Sequence, residues 1–128
     1  MPDGSPLQGE LQTQVMAAMW RLENATVEQV RSELPARYRG AYNTIQTVLN
    51  RLAERGLLSR RKVGNAIVYR PRISEADYLS GAIRQTLSGA SSDARQAALA
   101  RLIGDLDEAE LSDLREIARA LGPTRRRR

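Results

Sequence analysis

Asn43, Thr44, Gln46, Thr47 and Asn50 crowd amide and hydroxyl side chains into one short stretch. At about 100° per residue, Asn43, Thr47 and Asn50 fall opposite the apolar stripe Ile45, Val48, Leu49 and Leu52, with Thr44 and Gln46 beside them. Such a face suits the edges of bases. An Asn or Gln amide can bond adenine through two contacts, and Thr offers thymine a hydroxyl and a methyl. Arg51 and Arg55 flank the same face later in the helix and would reach phosphates, which position without specifying. For any one of these residues solvation alone is a sufficient role, and a capping box at a helix start accounts for Asn43 with Gln46.

A second set of polar residues follows. Arg60, Arg61, Lys62, Asn65 and Arg70 fall on a predicted hairpin whose basic ribbon could flank a groove and hold phosphates. The alternative is a charged edge that keeps the hairpin from pairing with other chains. Arg39 and Tyr42, just before the amide-rich helix, are further backbone-contact candidates. Tyr38, Tyr42 and Tyr69 fit either phosphate bonding or core and hinge packing, and Trp20 reads as core.

The elements that hold these residues are legible from period and punctuation. A first helix runs from Glu10 to about Asn24 on Leu11, Val15, Ala18, Met19 and Leu22. Thr26 and Gln29 form a capping box for a short second helix striped by Val27, Val30 and Leu34 and stopped by Pro35. A polar turn, 36–42, leads to the third helix, about 43–55, with Gly56 past its end. Two strands around Gly64-Asn65 then make a hairpin closed by Pro71. Helix, helix, helix, hairpin is the outline of a winged helix-turn-helix.

Beyond Ser74 and Asp77 come three more helices. The fourth, about 75–88, carries Leu79, Ile83 and Leu87. The fifth, about 93–104, is striped by Leu99, Leu102, Ile103 and Leu106. The sixth, about 108–121, opens on an Asp107/Glu110 capping box and carries Leu111, Leu114, Ile117 and Leu121. These stripes are too few to bury one another. Packing against a second copy, as a homodimer, is the favoured solution, and folding back on the first domain is the alternative. The expected fold class is mostly α with a small β-hairpin: a winged helix-turn-helix DNA-binding domain followed by a helical dimerisation region. The expected boundaries are a flexible arm at 1–9, the winged-helix domain at 10–72, the dimerisation domain at 73–122 and a basic tail at 123–128.

Charge follows the same division. The 128 residues hold 20 Lys+Arg and 15 Asp+Glu, net +5, yet residues 35–72 alone carry +8 and residues 73–124 carry −4. A basic block beside an acidic one points to nucleic acid for the former, or to a merely solvated face. Lys62 is the sole lysine among those cations. Arg suits phosphate and guanine, though a GC-rich genome gives the same skew. The chain has no Cys and no His, which removes disulfides, thiolate nucleophiles, imidazole bases and Cys or His metal ligands. An enzyme is therefore disfavoured, the acids around Asp105–Glu110 read as helix-start chemistry, and no metal or cofactor is expected. No apolar run approaches a membrane span and the N-terminus lacks the pattern of a secretory signal, so the expected compartment is the cytoplasm.

The stretch NTIQTVLNRLAERGLLSRRKVGNAIVYRP resembles the reading helix and wing of the penicillinase-repressor family, the BlaI/MecI/CopY-type repressors. LQTQVMAAMWRLENATVEQV resembles the family's opening helices, and LDEAELSDLREIARAL its closing dimerisation helix. The resemblance covers roughly residues 9–121. It implies a homodimeric winged-helix repressor on a palindromic operator, of TACA/TGTA type in the family, upstream of resistance or transport genes. It places the reading positions on Asn43, Thr44, Gln46, Thr47, Asn50 and Arg51, and the wing on Arg60–Tyr69. A membrane sensor or protease pathway is a further implied partner. The chain departs from the family twice. It lacks the C-terminal Cys cluster of the copper-sensing branch. Where the β-lactam branch is cleaved at an Asn-Phe bond it has Leu99-Ala100, and it contains no Phe. The alternative function is a winged-helix interaction module that sets its basic face on an acidic protein.

Overall fold

The computed structural model describes residues 9–122, so most of the expected arm and the Arg125–Arg128 tail lie outside the described residues. Within them the chain divides into two compact units, one reaching Thr86 and one starting at Leu87.

The first unit opens with α1, Gly9–Leu22, which buries Val15, Met16, Ala18 and Met19 on one face. The helix ends on Glu23 in the left-handed region, φ 69°, where its N–H closes back onto the Met19 carbonyl at 2.8 Å. Ala25 follows in extended form. Thr26 then caps α2, Val27–Glu33, by the expected reciprocal box. The Gln29 N–H donates to Thr26 Oγ1 at 3.3 Å and the Thr26 N–H to Gln29 Oε1 at 2.9 Å. Beyond Pro35 a short 3₁₀ turn, Ala36–Tyr38, leads to α3, Tyr42–Glu54.

The capping box expected of Asn43 and Gln46 does not form. Ala41 is the N-cap and makes no side-chain bond. Its backbone is extended, and its carbonyl already accepts the N–H groups of Thr44 and Ile45 at 3.1 and 3.2 Å. Asn43 is therefore already inside the helix, where its side chain cannot reach back to cap it. The far end matches expectation. Gly56, φ 84°, sends its N–H to the Ala53 carbonyl while the Leu57 N–H reaches Leu52, both at 3.0 Å, the paired bonds of a Schellman stop.

Leu57 and Leu58 carry the chain through the core into β1, Leu58–Val63, which pairs antiparallel with β2, Ala66–Pro71. The register sets Val63 opposite Ala66, so Gly64-Asn65 is a two-residue loop. Gly64 takes φ 62°, a conformation that costs a glycine nothing. Ala25 adds an isolated antiparallel bridge beside the hairpin. Its N–H and carbonyl exchange bonds with Tyr69 at 3.0 and 2.8 Å. The core of this unit gathers Val15, Met16 and Met19 of α1, Val30 and Leu34, Ile45, Leu49 and Leu52 of α3, and Tyr69 of β2. Each aliphatic side chain removed from water here contributes about 1.5–3 kcal/mol.

Ser74 starts α4, Glu75–Ser88, by accepting the Asp77 N–H at 3.0 Å. Tyr78 in its first turn is buried, and Trp20 of α1 donates its indole N–H to the Ile73 carbonyl at 3.0 Å just before it.

The second unit holds α5, Ser92–Gly104, capped by Ser91, and α6, Glu108–Leu121, capped by the expected Asp107/Glu110 box. Leu106, expected on the fifth helix's stripe, lies past the end of α5. Its N–H closes a turn onto the Ile103 carbonyl at 3.1 Å. Neither α5 nor α6 has a buried residue.

Candidate nucleic-acid interface

Helix α3 has two faces. Ile45, Val48, Leu49 and Leu52 are buried, while Tyr42, Asn43, Thr44, Thr47 and Arg51 are exposed and Gln46, Asn50 and Arg55 half-buried. The five polar residues singled out as base readers thus share the outward side of one helix. With no capping role, Asn43 keeps its amide outward. Thr47 donates its hydroxyl to the Asn43 carbonyl at 2.9 Å, which fixes its rotamer within the helix.

Asn50 differs from the rest. Its Oδ1 accepts a hydrogen bond from the Tyr69 hydroxyl at 2.8 Å, across from β2. Tyr69 is fully buried, so of the two roles open to it, phosphate bonding or packing, it takes the second and holds α3 to the hairpin. Burial pushes the Tyr69 phenol above its ordinary pKa, and the positive charge of Arg60 offsets part of that rise. No spacing in the sequence signals this pair.

The approach to α3 is held by arginines. Arg31 donates to the Gly40 carbonyl at 2.6 Å, and Arg39 donates to the Leu34 carbonyl at 2.8 Å. Arg39, expected at a phosphate, thus spends part of its guanidinium on the carbonyl end of α2. Tyr38 bonds Glu10 and accepts from Arg37, which places it in the hinge rather than among free hydroxyls. Tyr42 stands 48% exposed at the head of α3.

The hairpin sorts its cations by strand period. Arg60 and Lys62 share the face of Tyr69 and Ile67, and Tyr69 reaches α3 from that face. Ser59, Arg61 and Arg70 share the opposite face with Val68, where these residues and Arg60 line a shallow groove. Asn65 sits at the exposed tip. Among the described residues no ion pair ties down Arg51, Arg60, Arg61, Lys62 or Arg70, whereas Arg21, Arg31 and Arg37 of the same unit each meet a glutamate. Those five cations thus keep their charge beside the polar face.

The predicted dimerisation residues are mostly open to solvent in a single chain. Leu79 and Ile83 of α4 are exposed, and so are Leu99, Leu102 and Ile103 of α5 and Leu114, Ile117 and Leu121 of α6. Leu87, Leu106 and Leu111 are half-buried. Among the described residues no group of three His, Cys, Asp or Glu is placed to hold a metal ion, and no helix is long and apolar enough to cross a membrane.

Residues 8–120 match the family model described as penicillinase repressor. The chain is 36% identical over 109 residues to the transcriptional regulator BlaI of Mycobacterium tuberculosis, covering 84% of this chain and 79% of that one. It is 34% identical over 74 residues to a penicillinase repressor of Bacillus licheniformis, 58% of each chain. The solution structure of the DNA-binding domain of the repressor BlaI superposes with a TM-score of 0.51 at 32% identity, covering 61% of this chain and 94% of that domain.

Proposed function

The chain belongs to the penicillinase repressor family, and we propose on that premise that it is a homodimeric, sequence-specific DNA-binding transcriptional repressor and not an enzyme. Each protomer lays α3 in the major groove of a palindromic operator. Asn43, Thr44, Gln46, Thr47 and Asn50 face base edges, while Tyr42, Arg51, Arg55 and the wing cations hold phosphates. The observation that carries this reading is the amide and hydroxyl face of α3, set beside Arg51, Arg60, Arg61 and Arg70, which no glutamate among the described residues neutralises. Bases are specified by the former and the duplex is held by the latter.

The helices after Ser74 form the dimerisation region. A single chain leaves eight large apolar side chains of α4, α5 and α6 in water, a pattern that calls for a partner surface. A second copy supplies the same stripe and fixes the two reading helices about one helical turn of DNA, or a multiple, apart. Occupying the promoter blocks transcription, with β-lactam-resistance or related stress genes as the regulated class and the cytoplasm as the place of action.

Fluorescence anisotropy on an inverted-repeat duplex of the TACA/TGTA type and on scrambled DNA tests this. The expected result is a preference of about 10³-fold or more for the repeat at physiological salt. Equal affinity for both duplexes would sink the reading and leave the basic face to an acidic protein.

A further inference from the structure

We propose that the Tyr69–Asn50 hydrogen bond orients Asn50 to read with its NH₂, which selects guanine over adenine at the base pair it faces. The inference rests on the DNA reading above and adds to it which base one residue chooses.

The phenol that meets Asn50 is not free to move. Tyr69 is fully buried, and its backbone is bonded on both sides of its N–H and carbonyl, to Ala25 at 2.8 and 3.0 Å. Its hydroxyl donates to Asn50 Oδ1 at 2.8 Å, so the amide oxygen of Asn50 is turned toward the protein. An Asn reads adenine by setting its oxygen and its nitrogen side by side, the oxygen accepting from N6 and the nitrogen donating to N7. An oxygen held 2.8 Å from a buried hydroxyl is turned away from that edge. What Asn50 turns outward is then its NH₂, which carries two donors. Guanine shows two adjacent acceptors in the major groove, N7 and O6, whereas adenine places a donor beside its N7. An NH₂ presented alone therefore gains at guanine what it loses at adenine. The oxygen of Asn50 has no such fixed partner without the Tyr69 hydroxyl, so removing that oxygen atom from Tyr69 releases the amide to turn.

Selection from randomised duplexes by the full chain tests the assignment, with wild type, Asn50→Ala and Tyr69→Phe compared. Wild type is expected to prefer guanine over adenine about tenfold at one pair per half-site. Asn50→Ala should level that pair and no other, and Tyr69→Phe should shift the same pair toward adenine. Adenine preferred by wild type at the pair that Asn50→Ala levels overturns the proposal, as does a folded Tyr69→Phe with its guanine preference intact. Should Tyr69→Phe not fold, by circular dichroism, the wild-type and Asn50→Ala profiles decide alone. An enriched site lacking an Asn50-dependent guanine sinks this inference and leaves the repressor reading standing. No enriched sequence at all removes both.

Discussion

The rings of Trp20 and Tyr78 lie 5.6 Å apart at an interplanar angle of 43°, joining the last turns of α1 to the first turn of α4. With the indole N–H on the Ile73 carbonyl, this contact fixes the start of the fourth helix against the winged-helix core. Tyr78→Ala should cost about 2–3 kcal/mol, read as a lower urea midpoint. Trp20 is the chain's one tryptophan, so its fluorescence should also change before unfolding begins. An unchanged midpoint would show that the contact adds nothing to stability.

Glu23 holds φ 69° at the close of α1, a conformation in which a side chain is disfavoured. Glu23→Gly should stabilise the protein by about 0.5–1 kcal/mol, since the αL stop it provides is the one glycine favours. Calorimetry showing a lower Tm would contradict this.

Tyr69 gives stability an alkaline limit. In the unfolded chain it ionises near its ordinary value of about 10, and burial raises that value in the folded protein. Below about pH 10 both states keep the proton. Above it the unfolded chain loses the proton first, so stability falls as pH climbs through the folded value. The urea midpoint should be lower at pH 11 than at pH 9, with a shallower decline in Tyr69→Phe. At neutral pH that variant should lose about 1 kcal/mol with the Asn50 bond.

If the wing holds phosphates, Arg61→Ala should weaken binding to every duplex alike. It should also flatten the plot of log affinity against log salt by about 0.9 per lost contact. Identical slopes for wild type and variant would remove Arg61 from the interface.

A charge placed in the apolar stripes should separate a dimer without unfolding either protomer. Leu102 and Ile117 are 53% and 56% exposed in the single chain, so neither carries its core. Leu102→Asp and Ile117→Asp should sediment as monomers with unaltered helical circular dichroism, and a single species of unchanged mass would refute the assignment.

The elements that follow local rules were legible in the sequence. The Thr26 and Asp107 boxes, Gly56 after α3 and the Gly64-Asn65 turn each depend on residues a few positions apart, and each formed as read. Asn43 misled because a capping box is a claim about backbone conformation. Extended Ala41 took the N-cap two residues sooner and left Asn43 within the helix. The partnership of Asn50 with Tyr69 was hidden for another reason. The two are 19 residues apart, on a helix and a strand, and only the packing of the hairpin on α3 brings them together. The apolar stripes after Ser74 were visible as stripes, while their exposure belongs to tertiary structure.

Ala25 and Tyr69 stitch the link between α1 and α2 to the root of the wing through two backbone bonds. The wing therefore cannot slide relative to α2 without breaking them, and the winged-helix unit behaves as a stiff gauge. When the distance from groove to flanking phosphate on an operator differs from the one built into this gauge, the duplex has to yield by bending or twisting at its softer steps. Two operators offering the same base contacts would then be ranked by their flexibility.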